Sequence, residues 1–206
     1  DVYNTAVGYS AGSAVTTGTA NTLVGSLVGD ALTTGVNNTA LGAAALGAAT
    51  IDQRNTAIGN SCLQTLNRAG ESDPIGYNVG VGYGAGSDIT TGTANTCIGA
   101  IAGDGITVGT NNTIIGYDSN PSNNSTNAIA LGSGVSVNSD DFTFGKPSNL
   151  VTNDFDTDAN WSRSSDERLK KNITDQTLGL DFINDLRTVK YNWKANHELD
   201  STDSQL

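Results

Sequence analysis

The stretch Asn21-Thr22-Leu23-Val24-Gly25 decides the fold of this chain, because close copies of it return along most of the sequence. The copies occupy residues 4–8, 21–25, 38–42, 55–59, 78–82, 95–99 and 112–116, with a degenerate eighth copy at 128–132. We call the last residue of each copy its closing glycine: Gly8, Gly25, Gly42, Gly59, Gly82, Gly99, Gly116 and Gly132. The intervals between them are 17, 17, 17, 23, 17, 17 and 16 residues. A fixed period of this kind is the sequence signature of a repeat architecture.

The length and composition of the repeat select the type of architecture. Two short β-strands and two tight turns fit into 17 residues, whereas a helical hairpin repeat needs about 33 residues or more. Frequent glycine, with Val, Ile and Thr between the glycines, further disfavours helix. We therefore predict an all-β fold in which residues 1–145 form a parallel β-solenoid or β-roll with one repeat per coil. The long interval indicates a polar loop insertion near residues 67–74 that keeps the phase of the repeat.

Three columns of small or apolar residues run through the repeats. The first aliphatic column precedes each closing glycine: Val7, Val24, Leu41, Ile58, Val81, Ile98, Ile115 and Leu131. The second aliphatic column lies seven residues after it: Val15, Leu32, Ala49, Leu66, Ile89 and Ile106. The small-residue column lies two residues before it: Ala6, Leu23, Ala40, Ala57, Gly80, Cys97, Ile114 and Ala130. We expect the two aliphatic columns to face inward as continuous stripes.

The small-residue column alternates with the first aliphatic column, so the two columns lie on opposite faces of a strand. If both faces are apolar, an isolated solenoid exposes one of them, and an exposed apolar stripe of this length typically marks an interface. We therefore expect a homo-oligomer packed along the solenoid axis, with three-fold packing suited to a fibre. The threonine column (Thr5, Thr22, Thr39, Thr56, Thr96 and Thr113) shares the face of the first aliphatic column. We expect it to turn inward or toward a neighbouring subunit, rather than to form a flat ice-binding ladder.

Further glycines mark turns. Gly18, Gly35, Gly92 and Gly109 lie ten residues after a closing glycine and are expected to supply positive φ there. Gly12, Gly29, Gly86 and Gly103 lie four residues after one and indicate a second corner.

The phrase Asn55-Thr56-Ala57-Ile58-Gly59, together with Gly8-Tyr9-Ser10-Ala11-Gly12, resembles known fibrous repeats. It is similar to the head repeats of trimeric autotransporter adhesins, and more similar to the glycine-rich shafts of phage and algal-virus tail fibres. The adhesin repeat is usually shorter, which favours the fibre comparison.

The sequence changes character after Gly132: residues 1–132 hold 22 of the 25 glycines but only 10 of the 31 charged residues. We expect residues 133–145 to form a last strand or cap, residues 146–163 a polar connector, and residues 164–206 a separate small α+β segment. Within that segment, residues 177–186 suit a helix and residues 189–193 a strand.

The phrase Ser165-Asp166-Glu167-Arg168-Leu169-Lys170-Lys171-Asn172-Ile173 resembles the signature of the endosialidase-type intramolecular chaperone domain, through Ser165, Asp166, Arg168, Lys170 and Ile173. The resemblance implies a chaperone that trimerises the fibre and then releases itself by serine–lysine autoproteolysis. Ser165 and Lys170 are its implied catalytic residues. The cleaved bond flanks Ser165, and the sequence leaves open on which side. Such domains usually continue further, so we expect residues 164–206 to be only the N-terminal part of one.

The chemistry of these residue types is compatible with that role. A serine hydroxyl becomes a good nucleophile when a base removes its proton, and a lysine of lowered pKa can be that base. Arg168 and Lys171 lie near Lys170 in sequence and would lower its pKa if they also approach it in space.

Composition argues against several other function classes. The net charge of −11 disfavours binding to a nucleic-acid backbone, and no apolar run is long enough to cross a bilayer. Cys62 and Cys97 occupy small-residue positions and are expected to be packed thiols, and His197 lies in a polar tail. Asp30, Asp88, Asp104 and Asp118 lie at corners, but most repeats lack an Asp at the same position, so we expect no metal site. We also expect no cofactor. Carboxylates are too sparse in the repeats for a glycosidase. We expect Tyr9, Tyr83 and Tyr117 to pack rather than to stack on sugars.

The sequence thus predicts a structural homotrimeric tail fibre or spike segment of a virion, which serves in host attachment. Its expected partners are copies of itself, other tail proteins of the virion and a host cell-surface receptor such as a glycan. The alternative is the head of a trimeric bacterial adhesin on a cell surface, without proteolysis.

Overall fold

The computed structural model describes residues 3–122 and 124–157. This part of the chain contains strands and turns and no helix. The strands are β1 (Thr5–Val7), β2 (Thr22–Val24), β3 (Thr39–Leu41), β4 (Thr56–Ile58), β5 (Val79–Val81), β6 (Thr96–Ile98), β7 (Thr113–Ile115), β8 (Asn120–Pro121), β9 (Ile129–Gly132), β10 (Ser136–Val137), β11 (Asp141–Lys146) and β12 (Asn149–Asp154).

One sheet runs the length of the described molecule. Its order is β1-β2-β3-β4-β5-β6-β7-β9-β11-β12, and every pairing is parallel except that of β11 with β12. Equivalent repeat positions pair throughout, as in Thr22↔Thr39 and Ala40↔Ala57. β5 pairs with β4 in the same register, Thr56↔Val79, although the 23-residue interval separates them. The predicted parallel β-solenoid with one repeat per coil is confirmed.

Three corners with left-handed backbone turn the chain in the first six coils, and the third corner is absent from the last two. They lie five residues before the closing glycine, and two and four residues after it. The first set is Tyr3, Ala20, Asn37, Arg54, Tyr77, Ala94, Asn111 and Asn127. The second set is Ser10, Leu27, Ala44, Ser61, Gly84, Ile101, Asp118 and Gly134. The third set is Gly12, Gly29, Leu46, Leu63, Gly86 and Gly103. The predicted corner at the third set is confirmed, whereas the other two carry few glycines and gave no clear sequence signal.

The explanation predicted for Gly18, Gly35, Gly92 and Gly109 is wrong, because none of the four has positive φ. They are needed for close approach: a Cβ at Gly92 would lie 2.5 Å from the carbonyl oxygen of Gly109 in the next coil. The closing glycines have both constraints. Gly25 has a φ of +143°, and a Cβ there would lie 2.6 Å from the carbonyl oxygen of Gly42. Spacing between coils therefore depends on glycine backbone at two points of the repeat.

The expectation that the first aliphatic column faces inward is wrong. Its members are exposed or half-exposed, with Val7 57% and Leu41 47% exposed, whereas Leu23, Ala40 and Cys97 of the small-residue column are fully buried. A three-residue strand alternates its side chains, so only its middle residue can face the core if the outer two face solvent. The narrow interior accepts the smaller side chains. The second aliphatic column is inward as predicted, and Leu32, Leu66, Ile89 and Ile106 are fully buried.

Side chains of adjacent coils compensate for one another in size inside the solenoid. Leu23 lies against Gly12 and Gly29, where an added Cβ would come within 2.8 Å and 3.1 Å of its methyl carbons. In a later coil the large residue is Leu63 instead, and it fills the space beside Gly80 and Gly86. Large and small residues therefore change places while the interior stays filled, as close packing requires.

A buried row of asparagines connects the coils by hydrogen bonds. The asparagine ladder comprises Asn4, Asn21, Asn38, Asn55, Asn78, Asn95 and Asn112, the residues that open the repeats. Asn95 donates its backbone N–H (3.0 Å) and its Nδ2 (3.2 Å) to Oδ1 of Asn78, and Nδ2 also donates to the carbonyl of Gly109 (2.8 Å). Asn112 bonds to Asn95 in the same way. Each amide thus satisfies backbone groups of neighbouring coils that would otherwise be buried without a partner.

The last turns depart from the repeat. β11 adds a ninth parallel strand, Phe142↔Ile129 and Phe144↔Leu131, after an interval of only 13 residues between Gly132 and Gly145. β12 then returns antiparallel to it, and the hydroxyls of Thr143 and Thr152 lie 2.9 Å apart. The predicted last strand is present, but the polar interval 146–163 that we expected to be a connector contains β12. This edge strand faces solvent and is mostly polar, so it lacks the hydrophobic pattern by which strands are predicted.

Candidate functional site: the outward sheet face

The first and third residues of the strands form a continuous outward sheet face. We define this face as the threonine column, with Val79 and Ile129 at its two apolar positions, together with the first aliphatic column. These residues range from half-buried to exposed, and Ile58, Ile98 and Ile115 are between 37% and 38% exposed. In the described part of the chain, the hydroxyls of the threonine column make no hydrogen bond. The face is thus a row of free hydroxyls beside a row of aliphatic groups.

The outward sheet face carries no charged side chain from β1 to β9. β11 extends it with Phe142 and Phe144, which follow the threonine and aliphatic rows and whose ring centroids lie 5.5 Å apart. Nine strands at about 4.8 Å spacing give a length of about 38 Å, and the two rows lie about 6.7 Å apart along each strand. The face is therefore long, narrow and neutral.

Aromatic residues flank this face at the neighbouring corners. Tyr9, Tyr83 and Tyr117 are 76%, 63% and 59% exposed, so the expectation that they pack is wrong for the single chain. They follow the closing glycine, where the chain has already turned away from the core. On the other side, the guanidinium of Arg54 lies 5.7 Å from the ring centre of Tyr77 and donates to its hydroxyl (3.1 Å). Repeat counting did not single out this pair, because its position is mostly Ala or Asn.

The two cysteines are packed thiols, as predicted. Cys62 and Cys97 are fully buried and free, and Cys62 Sγ donates to the carbonyl of Ala85 (3.3 Å). Burial raises the pKa of each thiol to about 12. Neither has the partly exposed, electropositive surroundings of a reactive thiolate.

The loop insertion is anchored by one buried carboxylate and one arginine. Asp52 takes the place of a close-approach glycine, and it accepts hydrogen bonds from the backbone N–H of Thr50 (3.1 Å) and of Arg68 (3.0 Å). Burial raises the pKa of Asp52, and these hydrogen bonds and the charge of Arg68 oppose the rise. Arg68 donates to the carbonyls of Thr91 and Asp73. The pair holds the loop on the coil and forms no catalytic constellation.

The residues predicted to carry chemistry lie elsewhere. Among residues 3–122 and 124–157, no three His, Cys, Asp or Glu side chains come together to hold a metal ion. The same part of the chain has no helix able to cross a membrane. Ser165, Asp166, Arg168, Lys170, Ile173, His197 and the predicted α+β segment, with its helix at 177–186 and strand at 189–193, lie outside the described residues.

The described residues thus define a class of protein, a parallel β-solenoid of small coils with one long neutral face. Residues 165–206 match the model of the peptidase S74 family, described as chaperone of endosialidase. That interval begins at Ser165 and includes Lys170. No curated protein and no solved structure matches the chain. A β-solenoid followed by this chaperone match fits a tail-fibre-like protein.

Proposed function

We propose that this chain is part of a homotrimeric tail fibre or spike of a virion, serving in host attachment. In this proposal its C-terminal segment drives trimer folding and is then released by autoproteolysis at Ser165. The observation that carries the proposal is the order of the two parts: a solenoid of similar coils, then a match to a chaperone of endosialidase beginning at residue 165.

A repetitive solenoid needs help to bring three chains into the same register. Every coil offers nearly the same rows of side chains, so two chains could pack out of register by one coil at little cost. A trimerising segment at one end would fix the three chains at a common starting point. After the coils have paired in register, the segment is no longer needed.

The proposed chemistry uses two side chains. The neutral amine of Lys170 takes the proton of the Ser165 hydroxyl, and Oγ attacks the carbonyl carbon of the peptide bond that flanks Ser165. The C–N bond breaks, the proton passes to the leaving amine, and an ester forms at Oγ. Water then hydrolyses the ester and regenerates the hydroxyl. Each chain is cut once, so the reaction is a single turnover.

The test is intact-mass analysis of the full 206-residue chain after expression. We expect the wild type to be cut beside Ser165, and Ser165→Ala and Lys170→Ala to remain whole. Ser164→Ala and Lys171→Ala are matched controls, because each removes the same functional group one residue away, and both should still be cut. An uncut wild type, or cleavage that persists in Ser165→Ala, would contradict the autoproteolysis.

Assembly has a separate test. Sedimentation equilibrium of the released solenoid should give three times the mass of one chain. A monomer at all concentrations would contradict the trimer, whatever the result of the cleavage experiment. The adhesin alternative predicts a trimer whose chains are never cut.

A further inference from the structure

We propose that the outward sheet face is the surface through which three copies of this chain pack, with the face of each copy turned toward a common axis. This inference rests on the proposed trimer and adds to it the residues that make the contact.

The chemistry of the face is more uniform than exposure to water requires. Its third-residue row is Val, Ile or Leu in every one of eight coils, and five of these eight side chains are exposed in the single chain. An exposed position outside the face varies more: the residue directly after the closing glycine is Tyr, Ser, Ala or Asn. An apolar row kept over the whole length of a soluble surface is a mark of an interface.

Charge favours a second copy as the occupant. The chain carries a net charge of −11, so two copies repel one another over most of their surfaces. The outward sheet face has no charged residue on any strand from β1 to β9, and its end is the phenylalanine pair of β11. It is the long strip along which like-charged copies can approach without placing carboxylates together.

The spacing also favours a second copy. The rows repeat once per coil, at about 4.8 Å. An unrelated globular surface has no such period, whereas another copy has it by construction, and the free threonine hydroxyls can then pair between chains at the six coils that carry a threonine. The 23-residue interval does not disturb the face, because β5 continues the register of β4.

The size of the face sets how firmly it can hold a trimer. A length of about 38 Å and a width of about 11 Å, which adds side-chain radii to the two rows, give about 400 Å² in each copy. Three copies then bury about 1,200 Å² in all, or about 400 Å² for each of the three pairwise contacts, which is less than the roughly 1,200 Å² of a stable interface between two proteins. An interface of that size has no surplus, so one buried charge in each chain should break it.

Cysteine cross-linking of the full chain locates the face. Two separate variants, Ile58→Cys and Ile98→Cys, each place a thiol on the outward sheet face. Mild oxidation of either variant should give a covalent dimer. The matched control is Val108→Cys, which is also an exposed aliphatic position, 49% exposed, but lies outside the face. The native Cys62 and Cys97 are fully buried and provide a silent background.

A charge scan gives the second readout. Ile98→Asp should raise the concentration at which the trimer half-dissociates at least tenfold while the circular dichroism of the β-solenoid is kept. Val108→Asp should leave the dissociation unchanged.

The outcomes separate this inference from the proposed function. A trimer whose face cysteines do not cross-link, and which Ile98→Asp leaves intact, overturns the face but keeps the trimer. A monomeric wild type overturns both. A monomer whose threonine row slows ice growth, measured as thermal hysteresis, would assign the face to ice and also overturn the proposal.

Discussion

The middle residue of each strand and the residue that follows it are neighbours in the chain but obey different rules. The middle residues face the core and vary from Gly to Leu, Ile and Cys, whereas the next residues face outward and are always Val, Ile or Leu. Globular proteins usually show the reverse, with a restricted core and a free surface.

The difference shows that side chains inside the solenoid pack against adjacent coils of the same chain, whereas those on the outward sheet face do not. Inside, an adjacent coil can compensate for any change in size, as Gly12 and Gly29 do for Leu23. On the outward sheet face, the row of Val, Ile and Leu is exposed or half-exposed in the single chain, so no adjacent coil compensates for a change in its size. Its uniformity is what packing against a partner outside the chain would require. Four predictions test this comparison, in order of decreasing effect.

The largest effect is expected where a strand leaves the face. Gly99→Ala puts a methyl group against the carbonyl carbon of Gly116, 2.7 Å away, at a φ of +129°. Strain and the forced separation of two coils should lower the free energy of unfolding by about 4 kcal/mol, measured by urea denaturation.

Gly105→Ala is the control for that substitution. Its Cβ would meet atoms no closer than 3.6 Å, and its φ is not left-handed, so it should change stability by less than about 0.5 kcal/mol. Equal losses in the two variants would show that coil spacing does not depend on the closing glycine.

Size compensation inside the core predicts the next effect. Leu46→Gly should cost about 3 kcal/mol through the cavity it leaves, and Ala40→Leu about 2 kcal/mol through overpacking. The double variant copies the arrangement of Leu23 and Gly29 one coil earlier. We expect it to cost less than the sum of the single losses by about 1 to 3 kcal/mol in a double-mutant cycle. Strict additivity would refute local compensation.

The asparagine ladder predicts a smaller loss. Asn95→Ala removes the acceptor of Asn112 and a donor to the carbonyl of Gly109, both buried, and should cost about 2 kcal/mol in thermal or urea unfolding. Thr96→Ala, one residue later on the outward sheet face, removes a hydroxyl without a partner in the described residues. It should cost less than about 0.5 kcal/mol in the separated single chain.

The smallest effect concerns pH. Burial raises the pKa of Asp52 above its ordinary value of 3.8, so the folded chain holds this proton at pH values where the unfolded chain has released it. The stabilising effect of protonation is therefore complete below pH 3.8 and is lost as the pH rises through the folded pKa. We expect the stability of the wild type to fall relative to Asp52→Asn over that range. A difference between the two chains that stays constant with pH would contradict the burial of this carboxylate.

The architecture could be predicted because a repeated sequence shows its period and its recurring positions within a single chain. The 17-residue period, the corner at Gly12 and Gly29, and the inward second aliphatic column follow from counting and side-chain chemistry. Which face of each strand points into the core could not be obtained that way, since both faces are apolar. Only the corners decide which face is inside. Left-handed corners at Ala20, Asn37 or Arg54 have no single residue preference that would reveal them.

The candidate site was also predicted from the sequence only in part. An exposed apolar stripe was expected from the two apolar faces, but the sequence assigned it to the wrong rows. β12 was missed because Leu150 and Val151 are a short signal within a polar interval. The Ser165 and Lys170 motif came from resemblance rather than from the chemistry of the residues alone, and the family match begins at the same serine.

The asparagine ladder gives the solenoid a modular length. Apart from a local bond from Asn55 to the carbonyl of Gln53, the amides bond to the coil before and the coil after. A coil could therefore be removed between two equivalent positions, such as residues 26–42, and the remaining amides would meet in the same geometry. Such a deletion would shorten the molecule by one step of about 4.8 Å. Gene duplication and deletion could therefore set the reach of this protein in discrete increments, as the rungs of a ladder set its height, without a new core having to be found at each length.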